Sequence, residues 1–325
     1  MKQNYLRLTG LLAVIVLIIV AFVAFVDMAA VLVQLRAADL GLLGAASAAL
    51  LLGLLAYAVR WRLLLDNKPH LPFTFHASNM GHAGNILIPF RGGEAVRVVV
   101  MGRSERVSLT EATSSFVVER LFEQLLRMLA LVGAVVVGAG LELSPATVLG
   151  GVGVLLGGFG LIAWLVSHQE ATINRGTALL SRLPRLSEAG VRASLTDLLG
   201  NLNSIARPPR FLLVLLWSLV TWFFFWAFFY LTLLALPAEL AGEALPISLG
   251  ALALSPPSAP TQPGIFHASI VLPLAAVGFD RSLLTAYTIL LHVLEMFWMI
   301  GFGLLGLLLT GLSARALLQP PEAGS

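Results

Sequence analysis

The sequence predicts an all-α polytopic membrane protein, and this fold class follows from its composition and from its long apolar runs. Of the 325 residues, 58% are hydrophobic and only 11% are charged, whereas about a quarter of the residues in a soluble domain carry a charge. Five apolar runs approach or exceed the roughly 20 residues needed to cross a bilayer. They are residues 6–26, 40–57, 146–166, 211–236 and 283–309.

Composition also excludes several kinds of function. The chain contains no cysteine, which excludes a disulfide framework, a thiol nucleophile and a thiolate metal site. Its pI of about 9.7 comes from arginines between the apolar runs. Arginines in such places are typical of orientation and headgroup contact, so nucleic acid is not an expected partner. We predict that residues 1–26 form a retained first span, because their apolar region is longer than that of a signal peptide.

Basic loops favour the cytoplasmic side of a membrane, and the loops of this chain fall into two sets. The basic set is the N-terminus, 60–68, 91–106, 168–210 and Arg315. The uncharged or acidic set is 27–39, 141–145 and 237–246. Placing the basic set inside predicts cytoplasmic N- and C-termini.

Two apolar segments then begin and end on the same side of the membrane. Residues 71–90 lie between two basic loops, and residues 249–277 enter and leave on the outside. We therefore predict one transmembrane domain, 1–325, with about six full spans and two broken or re-entrant helical hairpins. The hairpins belong to two units of opposite orientation, 40–138 and 211–311. Such inverted repeats are typical of transporters, whose sites lie where the broken segments meet.

The predicted cytoplasmic loop 168–210 contains an amphipathic helix. Apolar residues recur there at helical spacing, at Val191, Leu195, Leu198, Leu202 and Ile205. Two interpretations are open. The apolar stripe lies on the surface of the inner leaflet, or it packs beneath the transmembrane helices.

The first polar constellation is GNILIPFRGGEAVR, residues 84–97. Pro89 and the Gly92-Gly93 pair interrupt a helix, and Glu94 then begins a new one, whose N-terminus favours a carboxylate. Exposed amides and arginines in this stretch are suited to an anion such as phosphate. The alternative is that the charged side chains pair with one another and only stabilise a turn. The polar residues concerned are Asn85, Arg91, Glu94 and Arg97.

The second constellation is SSFVVERLFEQLLR, residues 114–127, on a helix that Ser108 and Glu111 can cap. At about 100° per residue, four charged side chains share one face of this helix. They are Glu119, Arg120, Glu123 and Arg127. Charges in a membrane helix are costly unless they pair or face water. A static ladder of salt bridges and a polar cavity open to the cytoplasm are equal alternatives.

The third constellation is the proline-rich segment 254–269, where a continuous helix cannot form. Gln262 and His267 lie in it, and the last apolar run carries His292 and Glu295 three positions apart. This last pair could exchange a proton or form a hydrogen bond that fixes helix packing. Their spacing is not that of a metal site, so no metal is predicted.

These constellations resemble the flippase-like membrane domain of lysylphosphatidylglycerol synthase, the multiple peptide resistance factor, and its standalone relatives. The resemblance rests on Asn85 with Leu87-x-Pro89-x-Arg91-x-Gly93-Glu94 and Arg97, and on Val118-Glu119-Arg120 before an apolar helix. It also rests on the proline-rich residues 255–266, and it extends over nearly the whole chain. Relatives usually have an acidic residue where His267 stands here.

The resemblance implies a flippase-like or scramblase-like transporter in a bacterial inner membrane. It would move an anionic phospholipid or a polyprenyl-phosphate-linked lipid between leaflets. Residues expected to bind the headgroup phosphate are Arg91, Arg97, Arg120 and Asn85. Residues expected to shape the polar path are Glu94, Glu119, Glu123, Arg127, Gln262, His267, His292 and Glu295. Full synthases add a soluble domain that transfers an aminoacyl group from tRNA to lipid, and we do not expect that enzyme here.

We accordingly expect no enzymatic activity, no metal and no cofactor. No G-x-x-x-x-G-K-[ST] motif occurs, so lipid movement would be downhill or ion-coupled rather than driven by a nucleotide. The expected partners are membrane lipids with anionic headgroups, and self-association is left open. The alternatives are a non-catalytic partner of a lipid-modifying pathway and a membrane-embedded lipid enzyme.

Overall fold

The computed structural model is helical throughout the residues that it describes, which are 28–87, 92–103, 106–137, 145–182, 187–237, 240, 242–255 and 264–310. Within these residues it has twelve α-helices and no β-strand, which confirms the all-α class. The helices are α1 Met28–Arg36, α2 Leu40–Leu64, α3 Leu71–Leu87, α4 Gly92–Gly102, α5 Leu109–Val136, α6 Pro145–Ser167, α7 Gln169–Leu180, α8 Glu188–Ala206, α9 Pro208–Leu234, α10 Ala244–Leu254, α11 Ile265–Ala276 and α12 Arg281–Thr310.

Three of these helices, α2, α9 and α12, are long and apolar enough to cross a membrane. The chain is therefore a membrane protein, while the count of six spans and the inverted repeat stay predictions. The predicted first span, 1–26, lies outside the described residues. One boundary needs correction: α2 continues to Leu64, so Arg60 lies inside this helix rather than in the predicted basic loop.

The chain divides into two compact units, each defined by contacts among its own residues. Unit 1 is drawn from Met1–Leu50, Ala130–Glu142 and Trp226–Phe297. Unit 2 is drawn from Leu51–Leu129, Leu143–Phe225 and Trp298–Ser325. Each unit combines segments that are distant in sequence, so neither coincides with the predicted repeat units 40–138 and 211–311. The inverted repeat, in which the two predicted units have opposite orientations, stays a prediction.

In unit 2, the described part of the predicted segment 71–90 forms α3, which packs antiparallel against the next helix, α4. Gly81 of α3 faces Arg97 of α4, and Gly84 faces Gly93. A Cβ atom at Gly84 would lie 2.9 Å from the Cα atom of Gly93. A Cβ atom at Gly93 would overlap the carbonyl oxygen of Gly81. Glycine is needed here because the two backbones approach more closely than any side chain permits.

The last part of α12 packs against α3 in the same way. A Cβ atom at Gly303 would lie 3.0 Å from the carbonyl oxygen of Asn79, and one at Gly306 would lie 3.1 Å from the Cβ atom of His76. Small residues that let helices approach closely are common in membrane proteins. Helix α3 is thereby held on two sides by glycines of other helices.

The amphipathic helix predicted within 168–210 is α8, which packs against α6 and α7. Its apolar residues Leu195, Leu198, Leu199 and Leu202 belong to the apolar core of unit 2, while Arg192 is exposed. This packing favours the second interpretation, in which the stripe lies against other helices. The side chain of Ile205 is outside the described part of the chain.

Arg210, at the start of α9, secures the end of α2. Its guanidinium donates hydrogen bonds to the carbonyl oxygens of Leu63 and Leu64, at 2.7 and 3.2 Å from Nη2. It also forms an ion pair with Asp66, whose Oδ1 lies 2.6 Å from Nη1. Carbonyls at a helix end have no partner within the helix, so Arg210 stabilises this terminus.

Unit 1 contains α10 and α11, which pack on each other, and the first part of α12. The hydroxyl of Tyr287 on α12 donates a hydrogen bond to the carbonyl of Phe229 at 3.0 Å, and the indole of Trp226 donates to Ser248 at 3.2 Å. The broken hairpin predicted over 249–277 corresponds to α10 and α11. The segment between them, with Gln262, lies outside the described residues.

Candidate functional site

A cluster of buried charges lies in unit 2, where side chains of α2, α4 and α5 meet. We call it the charge cluster and define it by three arginines and three glutamates with one tyrosine. Its members are Tyr57, Arg60, Glu94, Arg97, Glu119, Arg120 and Glu123. The formal charges balance, which reduces the cost of holding them among apolar helices.

Glu119 on α5 is the centre of the charge cluster and has no exposed surface. Arg97 donates two parallel hydrogen bonds to it, with 2.9 Å from Nη1 to Oε1 and 3.1 Å from Nη2 to Oε2. Arg60 lies 3.4 Å from the same carboxylate, and the hydroxyl of Tyr57 donates a hydrogen bond to it. Two parallel hydrogen bonds from an arginine hold a carboxylate in one orientation and also balance its charge.

The two inner arginines are also held by aromatic rings. The guanidinium of Arg97 lies 4.5 Å from the ring centre of Trp61, and that of Arg60 lies 4.7 Å from the ring of Tyr57. Arg60 is completely buried and Arg97 is 2% exposed. Cation–π contacts are strongest for desolvated cations, so the rings add to the stabilisation from Glu119.

The outer edge of the charge cluster is formed by Arg120, Glu94 and Glu123. The side chain of Arg120 is 22% exposed and that of Glu94 is 19% exposed, and they are 3.5 Å apart. Arg120 also pairs with Glu123 at 2.9 Å and with Glu119 at 3.1 Å. Arg120 is thus the most exposed arginine of the charge cluster, and its pair with Glu94 is the longest in the cluster.

Polar atoms of α3 lie close to this cluster. The ring of His82 is 5.2 Å from that of Tyr57, and Asn85 is buried against Gly93. Several side-chain atoms of α3 have no hydrogen-bond partner among the described residues: His76 Nδ1, Asn79 Oδ1, His82 Nε2 and Asn85 Oδ1. Buried polar atoms normally find partners, so α3 offers hydrogen-bonding capacity to a polar ligand.

In unit 1, the predicted residues His267 and His292 come together. Their rings are 5.0 Å apart, and Phe266 lies 5.3 Å from His292. Glu295, one turn further along α12, is 7% exposed. Among the described residues no hydrogen bond joins Glu295 to His292. The same residues contain no group of three or more side chains that could hold a metal ion.

Comparison with known families decides the classification of the chain. The family described as "Lysylphosphatidylglycerol synthase TM region" matches residues 8–303. The chain belongs to this family. No curated protein and no solved structure matches it. Membership in the lysylphosphatidylglycerol synthase transmembrane family confirms the predicted resemblance and indicates a lipid-related role in a membrane.

In this member of the lysylphosphatidylglycerol synthase transmembrane family, the charges of α5 pair along the helix and also with two arginines of other helices. Arg120 pairs with Glu119 and Glu123 along α5, as a ladder of salt bridges requires. The guanidinium of Arg127 lies over the ring of Trp222 at 5.7 Å. Glu119 also pairs with Arg60 on α2 and with Arg97 on α4. The alternative in which the charges of residues 84–97 hold a turn would pair Arg97 with Glu94. Arg97 pairs with Glu119 and Glu94 pairs with Arg120.

Two members of the charge cluster, Tyr57 and Arg60, were missed in the sequence. They stand in AYAVRWR at the end of an apolar run, where an arginine resembles a loop residue. Their spacing with Trp61 could have revealed them, because positions 57, 60 and 61 share one face of a helix. Arg91 and Gln262 lie outside the described residues, so their predicted roles stay predictions.

Proposed function

We propose that this chain moves an anionic phospholipid or a polyprenyl-phosphate-linked lipid between the leaflets of a bacterial cytoplasmic membrane, with no chemical change to the lipid. Family membership supports a lipid-related role, and the charge cluster supports handling of an anionic headgroup. Ionisable residues in membrane helices are costly, and they commonly mark a substrate path. The proposed orientation has both termini in the cytoplasm.

The observation that carries this proposal is the edge of the charge cluster, where Arg120 meets Glu94. Arg97 and Arg60 are buried with Glu119 and keep the frame of the cluster, whereas Arg120 and Glu94 are partly exposed. A phosphate group is an anion like the Glu94 carboxylate, and it can accept two parallel hydrogen bonds from an arginine. A headgroup phosphate would therefore exchange with Glu94 as the partner of Arg120.

Exposed apolar side chains support a path in which the acyl chains stay in the bilayer. On α9 they include Leu212, Leu216, Leu219 and Phe223. A surface of this kind is compatible with lipid tails and costly in water. The headgroup alone would then need the polar atoms of the protein.

The proposal is tested by lipid movement in liposomes that contain the purified protein. Phosphatidylglycerol and phosphatidylethanolamine each carry a fluorescent label on an acyl chain, which leaves the headgroup charge unchanged. A bleaching reagent that reaches only the outer leaflet destroys the label there. We expect faster movement of the anionic lipid with wild-type protein than in empty liposomes. Arg120→Ala should slow it about tenfold, equivalent to about 1.4 kcal/mol, because the phosphate contact is lost.

Two variants make this result specific. Arg120→Lys keeps the charge but not the planar fork, so we expect an intermediate rate. Arg175→Ala removes an exposed arginine of α7 and should move lipid at the wild-type rate. If no anionic lipid moves faster than in empty liposomes, a non-catalytic partner role replaces transport. If a modified lipid accumulates, an enzyme replaces it.

A further inference from the structure

Glu295 is a buried carboxyl that takes no part in the charge cluster. It lies on α12 with 7% of its surface exposed. Its Oε2 atom has no hydrogen-bond partner among the described residues. The ion pairs of the described part of the chain also leave it out. The charge cluster therefore does not explain why this carboxyl is buried.

The surroundings of Glu295 in unit 1 contain few groups that could carry a charge. The buried ones are His292 and Tyr287 on its own helix and His267 on α11. Tyr287 uses its hydroxyl to donate to the carbonyl of Phe229. The remaining titratable side chains described in this unit are exposed or partly exposed: Arg36, Asp39, Tyr230, Glu243, Asp280 and Arg281. No buried lysine or arginine is described in the unit.

A carboxylate cannot remain ionised in such surroundings at low cost. Burying a charge without a partner is far more costly than burying a neutral polar group, so the group binds a proton instead. Membrane proteins use carboxyl groups of this kind to carry protons. The neighbouring imidazoles of His267 and His292 are too close together for both to be charged, and a neutral imidazole can accept or donate a proton.

We propose that Glu295 is a proton-binding site, neutral in the conformation described here, and that its protonation is coupled to lipid movement. The coupling rests on the proposed transport function. In the step, the carboxyl O–H bond breaks, the proton passes to water that reaches the site, and a carboxylate is left. The reverse step restores the O–H bond, so atoms and charge balance without another reactant.

The protonation is tested without any transport assay, by modification with the hydrophobic reagent dicyclohexylcarbodiimide. The protonated carboxyl adds across a C=N bond of the reagent, and the adduct contains all atoms of both. A carboxylate does not react. The intact chain in lipid nanodiscs is treated at several values between about pH 6 and about pH 9, then digested, and the modified residue is located by mass spectrometry. We expect an adduct on Glu295 that decreases about tenfold per pH unit above its midpoint.

Glu295→Gln should lose this adduct, and Glu243→Gln, a change at an exposed glutamate, should keep it. Glutamine has nearly the shape of the neutral acid, so folding is checked by the thermal midpoint. Absence of modification at Glu295 at the lowest pH would overturn the proposed protonation. So would modification that does not change with pH.

The coupling is tested in the same liposomes with a pH gradient across the membrane. We expect the gradient to change the rate of lipid movement by wild-type protein, and to leave the rate of Glu295→Gln unchanged. An equal response of both proteins would overturn the coupling. No lipid movement by wild-type protein would overturn the proposed function and the coupling with it, whereas the carbodiimide result would still decide whether Glu295 is protonated.

Discussion

Glu119 in unit 2 and Glu295 in unit 1 are both buried glutamates on long helices, and their surroundings are opposite. Glu119 has Arg60, Arg97 and Arg120 within 3.4 Å of its carboxylate. Glu295 has an unpartnered Oε2 atom among the described residues. A buried carboxylate is stable when cations replace the water it has lost, and a buried carboxyl without them is stable only when it is neutral. Residue type therefore does not decide the role of a buried acid; its partners do.

The largest effect is expected at Glu119. Glu119→Gln removes the charge that balances Arg60 and Arg97 and leaves two buried guanidiniums without it. Breaking a buried ion pair in this way costs about 3–5 kcal/mol in the free energy of unfolding. The thermal midpoint in detergent measures the loss. A midpoint equal to that of wild type would mean that the charge cluster is not a stabilising unit.

Close backbone packing supports the charge cluster, and a glycine comparison tests this. Gly93→Ala would push a methyl group into the carbonyl of Gly81 and displace α4, which carries Arg97. Such overpacking typically costs about 1–3 kcal/mol. Gly133→Ala in unit 1 is the matched control, because its Cβ would lie 3.9 Å from the nearest atom, Leu249 Cδ1. Equal thermal midpoints for the two variants would contradict the close approach at Gly93.

A smaller loss of stability is expected at the exposed edge of the charge cluster. Arg120→Ala removes a partly exposed guanidinium, whose ion pairs are weakened by water. We expect a cost of about 1 kcal/mol in the free energy of unfolding, well below that of Glu119→Gln. Chemical denaturation of both variants measures which one loses more free energy of unfolding. If Arg120→Ala destabilised the protein more, Arg120 would be part of the frame and not available to a phosphate.

The smallest change is expected at Glu295. Glu295→Gln replaces a neutral acid by a neutral amide of similar shape, so the free energy of unfolding should stay within about 0.5 kcal/mol of wild type. Parallel denaturation of Glu119→Gln gives the contrast. A loss at Glu295 as large as that at Glu119 would show an ionised, paired carboxylate and would remove the difference between the two regions.

Several features of the fold and the site could be predicted from local sequence. Apolar runs predict α2, α9 and α12, and the Pro89 to Gly93 stretch predicts that one helix ends before it and another begins after it. The charged face of α5 is predicted by helical periodicity, and it supplies Glu119, Arg120 and Glu123. The position of Arg60 was not predicted, because an arginine at the end of an apolar run looks the same whether the helix stops before it or continues.

The sequence by itself determined the membrane class, the family and the helix that carries Glu119, Arg120 and Glu123, since these depend on runs and motifs of neighbouring residues. Only the tertiary structure decided which carboxyl is paired with cations and which has none beside it among the described residues. The partners of Glu119 and Glu123 are 22 and 63 positions away in the chain, at Arg97 and Arg60. The energy of an ion pair depends on distance in space and on the exclusion of water, and helix packing sets both.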